Sequence, residues 1–190
     1  VSPASDGEGG GLALADDVGA IANSTITGNS AGTSGEGGGL ILEGVISLDS
    51  DTITANVAKT GAGLYVYEEG QGVTVKDSIL SDNRTKSKGG SENDCALSTT
   101  TPDVAVAAAS EGGNVLGSSG CVLQLAASDK VSTNPKLRLL ANNGGPTETM
   151  ALEPSSPARK IGLACLPTDQ RGRPRPATHC DSGAYELAKA

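Results

Sequence analysis

The 190-residue chain has no Trp, no Phe, three Tyr and one Met. Without large aromatics, a core must be assembled from Leu, Ile, Val and Ala. That argues against an aromatic-filled sandwich and against a large helical bundle. One His and four Cys occur, with neither a Cys-x-x-Cys nor a His-x-x-x-His spacing, so a zinc site is not expected. No apolar run approaches the ~18 residues of a transmembrane helix. Val1-Ser2-Pro3-Ala4 opens the chain on a polar note, without the apolar stretch of a signal peptide. A processed product or an excised domain is the expectation. Basic residues are scarce, 14 against 22 acidic, for a net charge of −8. Nucleic-acid binding rests on Lys and Arg neutralising phosphates, so no nucleic-acid partner is expected. The charge is uneven: residues 1–128 carry net −11 and residues 129–190 net +3.

What the chain has is glycine, 27 residues of it, and a repeat. Gly9-Gly10-Gly11-Leu12-Ala13-Leu14 recurs as Gly37-Gly38-Gly39-Leu40-Ile41-Leu42, and more loosely as Gly61-Ala62-Gly63-Leu64-Tyr65-Val66. A second block follows each: Thr25-Ile26-Thr27-Gly28-Asn29, Thr52-Ile53-Thr54-Ala55-Asn56, then Ile79-Leu80-Ser81-Asp82-Asn83. Asn29, Asn56 and Asn83 lie 27 apart, as do Ile21, Leu48 and Val75. Within each repeat the apolar period is two, the signature of half-buried strands. Gly, Asn, Asp and Ser separate them as turn residues. Short strands at such a period predict an all-β fold, a right-handed parallel β-helix (solenoid) of about three to four coils. Coils would stack about 4.8 Å apart. Asn29, Asn56 and Asn83 would form a structural ladder at one corner, their amides bonding up and down.

The period breaks after Asn83. Residues 1–83 read as regular coils, 84–128 as a long disulfide-closed loop with a degenerate last coil, and 129–190 as an irregular C-terminal cap. Four Cys in a Gly/Ser/Thr-rich acidic chain read as two disulfides and an exported protein. Of the three connectivities, Cys95–Cys121 with Cys165–Cys180 keeps each bridge inside one irregular segment and crosses no regular coil.

The motifs resemble a known group. Ile26-x-x-Asn29, Ile53-x-x-Asn56 and Leu80-x-x-Asn83, behind the Gly blocks, echo the repeats of polymorphic outer membrane proteins. Asn134-Pro135-Lys136-Leu137, Asn142-Asn143-Gly144-Gly145-Pro146-Thr147, Asp169-Gln170-Arg171-Gly172-Arg173-Pro174 and Cys180-Asp181-Ser182-Gly183-Ala184-Tyr185-Glu186 are similar to the closing segment of such chains. The combination resembles right-handed parallel β-helix repeat bacterial surface proteins of the choice-of-anchor Q type. The resemblance implies a secreted or cell-surface bacterial location and no defined reaction.

The β-helix reading also raises polysaccharide chemistry, since pectate-lyase-like β-helices act on polysaccharides with clustered carboxylates and a base, and hydrolases use paired carboxylates. The acidic groups here are Asp16, Asp17, Glu43, Asp49, Asp51, Glu68, Glu69, Asp77 and Asp82, with Lys76 and Arg84 the nearby bases. They spread as solvated faces without a dense cluster, so no catalytic and no metal residue is assigned. No cofactor is expected, although carboxylate-bearing turns allow weak Ca²⁺ binding. His179 reads as a loop residue, and Asp169 with Arg171 as a local ion pair fixing the tail. Tyr65 and Tyr67, at i and i+2, are candidates to stack on sugar rings or to pack under a loop. The expected function is a non-catalytic exported surface or extracellular-matrix protein for adhesion or assembly. The alternative is a carbohydrate-active lyase or hydrolase. The expected partner at the N-terminal coil, around Leu12, Leu14 and Ile26, is another copy or an upstream β-helix segment, with end-to-end stacking into a filament as the sharp form.

Overall fold

The computed structural model describes residues 9–67, 72–86, 90–98, 108–118 and 124–188. Among them, runs of β-branched and aliphatic residues between turn residues form strands, and no helix forms. β1 (Leu12–Ala22) and β3 (Leu40–Asp49) each follow a Gly block, and β2 (Thr25–Thr27) and β4 (Thr52–Thr54) are both Thr-Ile-Thr. β5 (Val57–Ala58), β6 (Leu64–Val66), β7 (Val73–Lys76), β8 (Ile79–Ser81) and β9 (Arg84–Thr85) come next. β10 (Cys95–Leu97), β11 (Ala108–Gly112) and β12 (Val115–Leu116) arise from the stretch read as a long loop with a degenerate last coil. β13 (Lys130–Val131), β14 (Leu137–Ala141) and β15 (Thr149–Leu152) complete the order.

Five parallel strands in the order β13–β12–β8–β4–β2 form a curled half-barrel. A six-stranded sheet runs β10–β6–β3–β7–β11, with β1 beside β3. β3 is long enough to pair β6 through Leu40↔Leu64 and β7 through Leu48↔Val75. β5 pairs β9 in parallel, whereas β14 and β15 are antiparallel. Ile26, Ile53, Leu80 and Leu116 fall in one register column of the half-barrel. Together with Leu40, Leu42, Leu48, Leu64, Val66 and Val75 they build the main aliphatic core. Small and aliphatic side chains suffice because the facing strands alternate and interdigitate.

Two expectations are corrected. The strands divide into several separate sheets with a curled half-barrel among them, and do not make a regular right-handed parallel β-helix solenoid of three to four coils. The reason is the loss of repeat length. Equivalent hydrogen-bonded residues are 27 apart at Ser24/Asp51 and Asp51/Ser78, then 36 apart at Ser78/Asn114 and 15 at Asn114/Asp129. β1 also slips register against β3 between Leu14 and Asp17. The second correction concerns the irregular C-terminal cap. Residues beyond Asp129 supply β13, β14 and β15, and the segment that follows lies along the half-barrel instead of closing one end.

The contacts of that segment show its course. Asn23 Nδ2 donates to the Thr168 carbonyl at 2.8 Å, and the Ala184 N–H donates to Thr52 Oγ1 at 3.0 Å. The Gly183 N–H reaches the Asp77 carbonyl at 2.7 Å, and Ser182 Oγ the Gly113 carbonyl at 2.5 Å. Four successive turns of chain are thus tied to one segment. Ile79 and Val115, on the outer face of the half-barrel, pack with Leu152 and Ala158 in a second core. The half-barrel is therefore buried on both faces. Cys165–Cys180 closes the segment on itself. The Cys95–Cys121 pairing falls on Cys121, outside the described residues.

Tight corners place non-glycine residues in the left-handed region. One column is Asn23, Ser50 and Asp77, and another is Gly28, Ala55 and Asp82. Ala55 is the poorest fit, since Ala gains nothing there and pays the Cβ clash that Gly28 avoids. Gly39 shows the opposite constraint. A Cβ on it would lie 2.6 Å from the Gly63 carbonyl and 2.9 Å from Asn56 Nδ2. We expect Ala55→Gly to raise stability by about 0.5–1 kcal/mol and Gly39→Ala to lower it by about 1–3 kcal/mol. Urea unfolding midpoints at unchanged m-value check both.

Candidate functional site

Two polar ladders run through the corners. In the first, Asn29 Nδ2 donates to Asn56 Oδ1 at 3.0 Å, and Asn56 Nδ2 to Asn83 Oδ1 at 2.9 Å. The backbone N–H groups of Asn29 and Asn56 reach the same oxygens, and Asn83 passes its own on to Asp94. Asn56 and Asn83 are fully buried. A second ladder follows the same rule with mixed chemistry. The N–H of Ser24 donates to Asp51, that of Asp51 to Ser78, that of Ser78 to Asn114, and that of Asn114 to Asp129. Sequence reasoning missed it because Ser, Asp and Asn do not look alike. From Ser24 to Asn114 their common trait is a side-chain oxygen one residue after a left-handed position, Asn23, Ser50, Asp77 or Gly113.

The ladders explain where proton affinities move. Burial pushes the Asp51 carboxyl up to about 8, partly opposed by the Ser24 N–H and reinforced by nearby Asp49. Its Oδ2 is buried and accepts nothing among the described residues. Burial also raises Asp94, against the Asn83 N–H, and Asp77, against the N–H groups of Leu163 and Ala164. All three carboxylates serve backbone groups inside the protein.

The remaining sequence candidates scatter. Tyr65 is only 6% exposed and meets Tyr67 edge-on with ring centroids 5.2 Å apart, so the two rings pack against each other. Asp49 is bound to Lys76 at 2.7 Å. Glu68 and Glu69 lie outside the described residues, as do the side chains of Asp16 and Asp17. Among the described residues one group of three potential ligands comes together, Asp77 with Cys165 and Cys180. Both sulfurs are in the disulfide and Asp77 already accepts two N–H bonds, so these donors do not suit a metal.

Asp169 and Arg171 form a buried pair at 2.6 Å, with Arg171 stacked 3.6 Å over the Tyr185 ring. Burial works against the Asp169 charge. The N–H groups of Glu186, Arg173 and Arg171 and the Arg171 guanidinium nonetheless hold its carboxyl below the usual range. Arg175 is enclosed beside it, donating to Glu186 Oε2 at 3.1 Å and to the Gly183 carbonyl at 2.6 Å. These partners belong to the tail, and Arg175 also donates to Asn23 Oδ1 at 3.3 Å, so the network stiffens the tail and ties it to the first turn.

A groove of about 700 Å³ lies between the first ladder's corner and the β14–β15 hairpin. Thr54, Ala55, Asn56 and Val57 form one wall with Asp82 and Arg84. Lys136, Arg138, Leu139, Met150 and Glu153 form the other. Arg84 is bound to Asp82 at 3.0 Å, and both are about half exposed. The Glu153 N–H donates to the Lys136 carbonyl at 3.0 Å, fixing the hairpin mouth. Lys136 Nζ touches Ser155 Oγ at 3.3 Å. Leu139 is 87% exposed at the rim. Three cations, two carboxylates and one apolar rim residue can hold a ligand rich in hydroxyl and acidic groups. Sequence reasoning had Asp82 and Arg84 in view but not Lys136, Arg138 or Glu153, which a distant hairpin brings in.

Compared with known proteins, the chain matches no family model, no curated protein and no solved structure. The resemblance to right-handed β-helix repeat surface proteins of the choice-of-anchor Q type is therefore corrected. No family match supports it, and the separate sheets are not a simple solenoid.

Asp51 gives a pH prediction. The unfolded chain releases this proton near pH 4, the folded chain near 8. The folded state binds more protons in between, so the Asp51 contribution to stability is full below about pH 4, falls towards pH 8 and levels off above it. Asp51→Asn keeps the ladder acceptor and cannot ionise. Its stability relative to the natural chain should grow across that window and stay level beyond it. Denaturant titrations from pH 4 to 9 check this, and a constant difference would contradict the assignment.

Proposed function

We propose that the protein is a non-catalytic, exported binding protein used for adhesion, which holds a polysaccharide in the groove between the ladder corner and the β14–β15 hairpin. The makeup of that groove carries the reading. It is open, it presents Arg84, Lys136 and Arg138 beside Asp82 and Glu153, and Asp82 is already committed to Arg84. The carboxylates with raised proton affinity, Asp51, Asp77, Asp94 and Glu186, lie outside the groove. The Cys165–Cys180 disulfide favours an oxidising, extracellular setting. Among the described residues no helix is long and apolar enough to cross a membrane.

One observation favours a second reading, a carbohydrate-active enzyme. Asp82 and Glu153 line the same groove together with Arg84, Lys136 and Arg138. Calorimetry and product analysis on one panel of acidic and neutral polysaccharides separate the two. Binding to an acidic polysaccharide without product release is expected, weakened about tenfold in Lys136→Ala/Arg138→Ala, in line with charge-assisted hydrogen bonds. Release of shorter chains, abolished by Glu153→Gln, would replace the binding reading with the enzymatic one. Assembly belongs to the same proposal, because β1 and β2 each pair on one side only among the described residues. Light scattering that finds a monomer at every concentration removes that part.

A further inference from the structure

We propose that Lys59 and Lys86 form a binding site for a tetrahedral dianion, a sulfate or phosphate group, separate from the groove. β5 and β9 are in register through Val57↔Arg84 and Ala58↔Thr85. The Lys86 N–H continues the pairing to the Ala58 carbonyl at 3.1 Å. Lys59 and Lys86 are therefore neighbours on adjacent strands, with backbones about 4.8 Å apart. Ala58 is fully buried, so the lysine beside it turns outward. Both lysines are exposed.

Like charges placed directly opposite destabilise a strand pair. Four other cations are neutralised: Lys76 holds Asp49, Arg84 holds Asp82, Arg171 holds Asp169 and Arg175 holds Glu186. Neither Lys59 nor Lys86 has a carboxylate partner among the described residues, in a protein of net charge −8. Both open into one hollow of about 450 Å³, lined otherwise by Thr33, Thr85 and Ser91. Among the described residues two lysines and three hydroxyl-bearing residues line it, and no carboxylate does. Ammonium groups are donors only, and hydroxyls can turn to donate, which suits an acceptor-only anion. The anion would sit between the two ammonium groups and relieve their repulsion.

The test uses the full chain and NMR titration with sodium sulfate, with inorganic phosphate, and with sodium chloride at matched ionic strength. A sulfated disaccharide and its unsulfated form make a further pair of arms. Saturable shifts of the Thr33, Thr85 and Ser91 amides with sulfate or phosphate, absent with chloride, are expected. Lys59→Gln/Lys86→Gln should weaken binding at least tenfold. Lys59→Glu supplies a fixed carboxylate, so it should raise the melting temperature at low salt and remove the response. Tighter binding of the sulfated disaccharide than of free sulfate assigns the source to a saccharide, and equal binding assigns it to the free ion. Absence of saturable shifts, or unchanged affinity in the double variant, overturns the site.

Discussion

Every turn of this chain must leave backbone N–H groups at a corner where no neighbouring strand can accept them. An unpaired buried N–H costs on the order of a lost hydrogen bond. The structure answers with side-chain oxygens from the next turn, at 2.8–3.1 Å, in two corners. Other features follow from this bond. The amides of Asn56 and Asn83 fill the space beside Gly39 and Gly63, where a Cβ would collide. A left-handed residue stands ahead of Asn29, Asn56, Asn83, Asp51, Ser78 and Asn114 and swings the acceptor into line. Asp51 and Asp94 sit in the dry interior because their neighbours' N–H groups need them there, at the expense of an easy ionisation.

The half-barrel sheet divides the interior. Ile26, Ile53, Leu80 and Leu116 face the main core, while Ile79 and Val115 face the second core with Leu152 and Ala158. The tail that makes the second core is rigid through its own ion network and disulfide, and so can bear on several turns at once. The groove is a by-product of that arrangement, one wall being ladder corner and the other hairpin.

Where the repeat is chemically uniform, residue spacing translates directly into contact. The two Thr-Ile-Thr blocks at a spacing of 27 pair residue for residue in β2 and β4. The amides of Asn29, Asn56 and Asn83 bond one to the next. Extending that regularity to a whole solenoid fails because later turns differ in length. Asn83 is followed by Asp94 after 11 residues and Ser78 by Asn114 after 36. The Ser24, Asp51, Ser78 and Asn114 ladder hides because three residue types share one task. Tail contacts such as Thr52 with Ala184, 132 residues apart, have no local signature at all. The same is true of Lys136 and Glu153 in the groove. Tyr65 and Tyr67 illustrate the reverse case, since strand alternation alone does not reveal that the two rings pack on each other.

The tail's reach has a consequence for synthesis. Asn23 waits for Thr168, 145 residues later in the chain, before its amide is satisfied. At roughly 5–20 residues per second, that interval is on the order of ten seconds or more. The outer face of the half-barrel, with Ile79 and Val115, likewise stands uncovered on the nascent chain until Leu152 and Ala158 have been made. A polypeptide released before Leu152 would present that face permanently. Thr168 and Ala184, made long after Asn23 and Thr52, thus decide whether the first turns are finished.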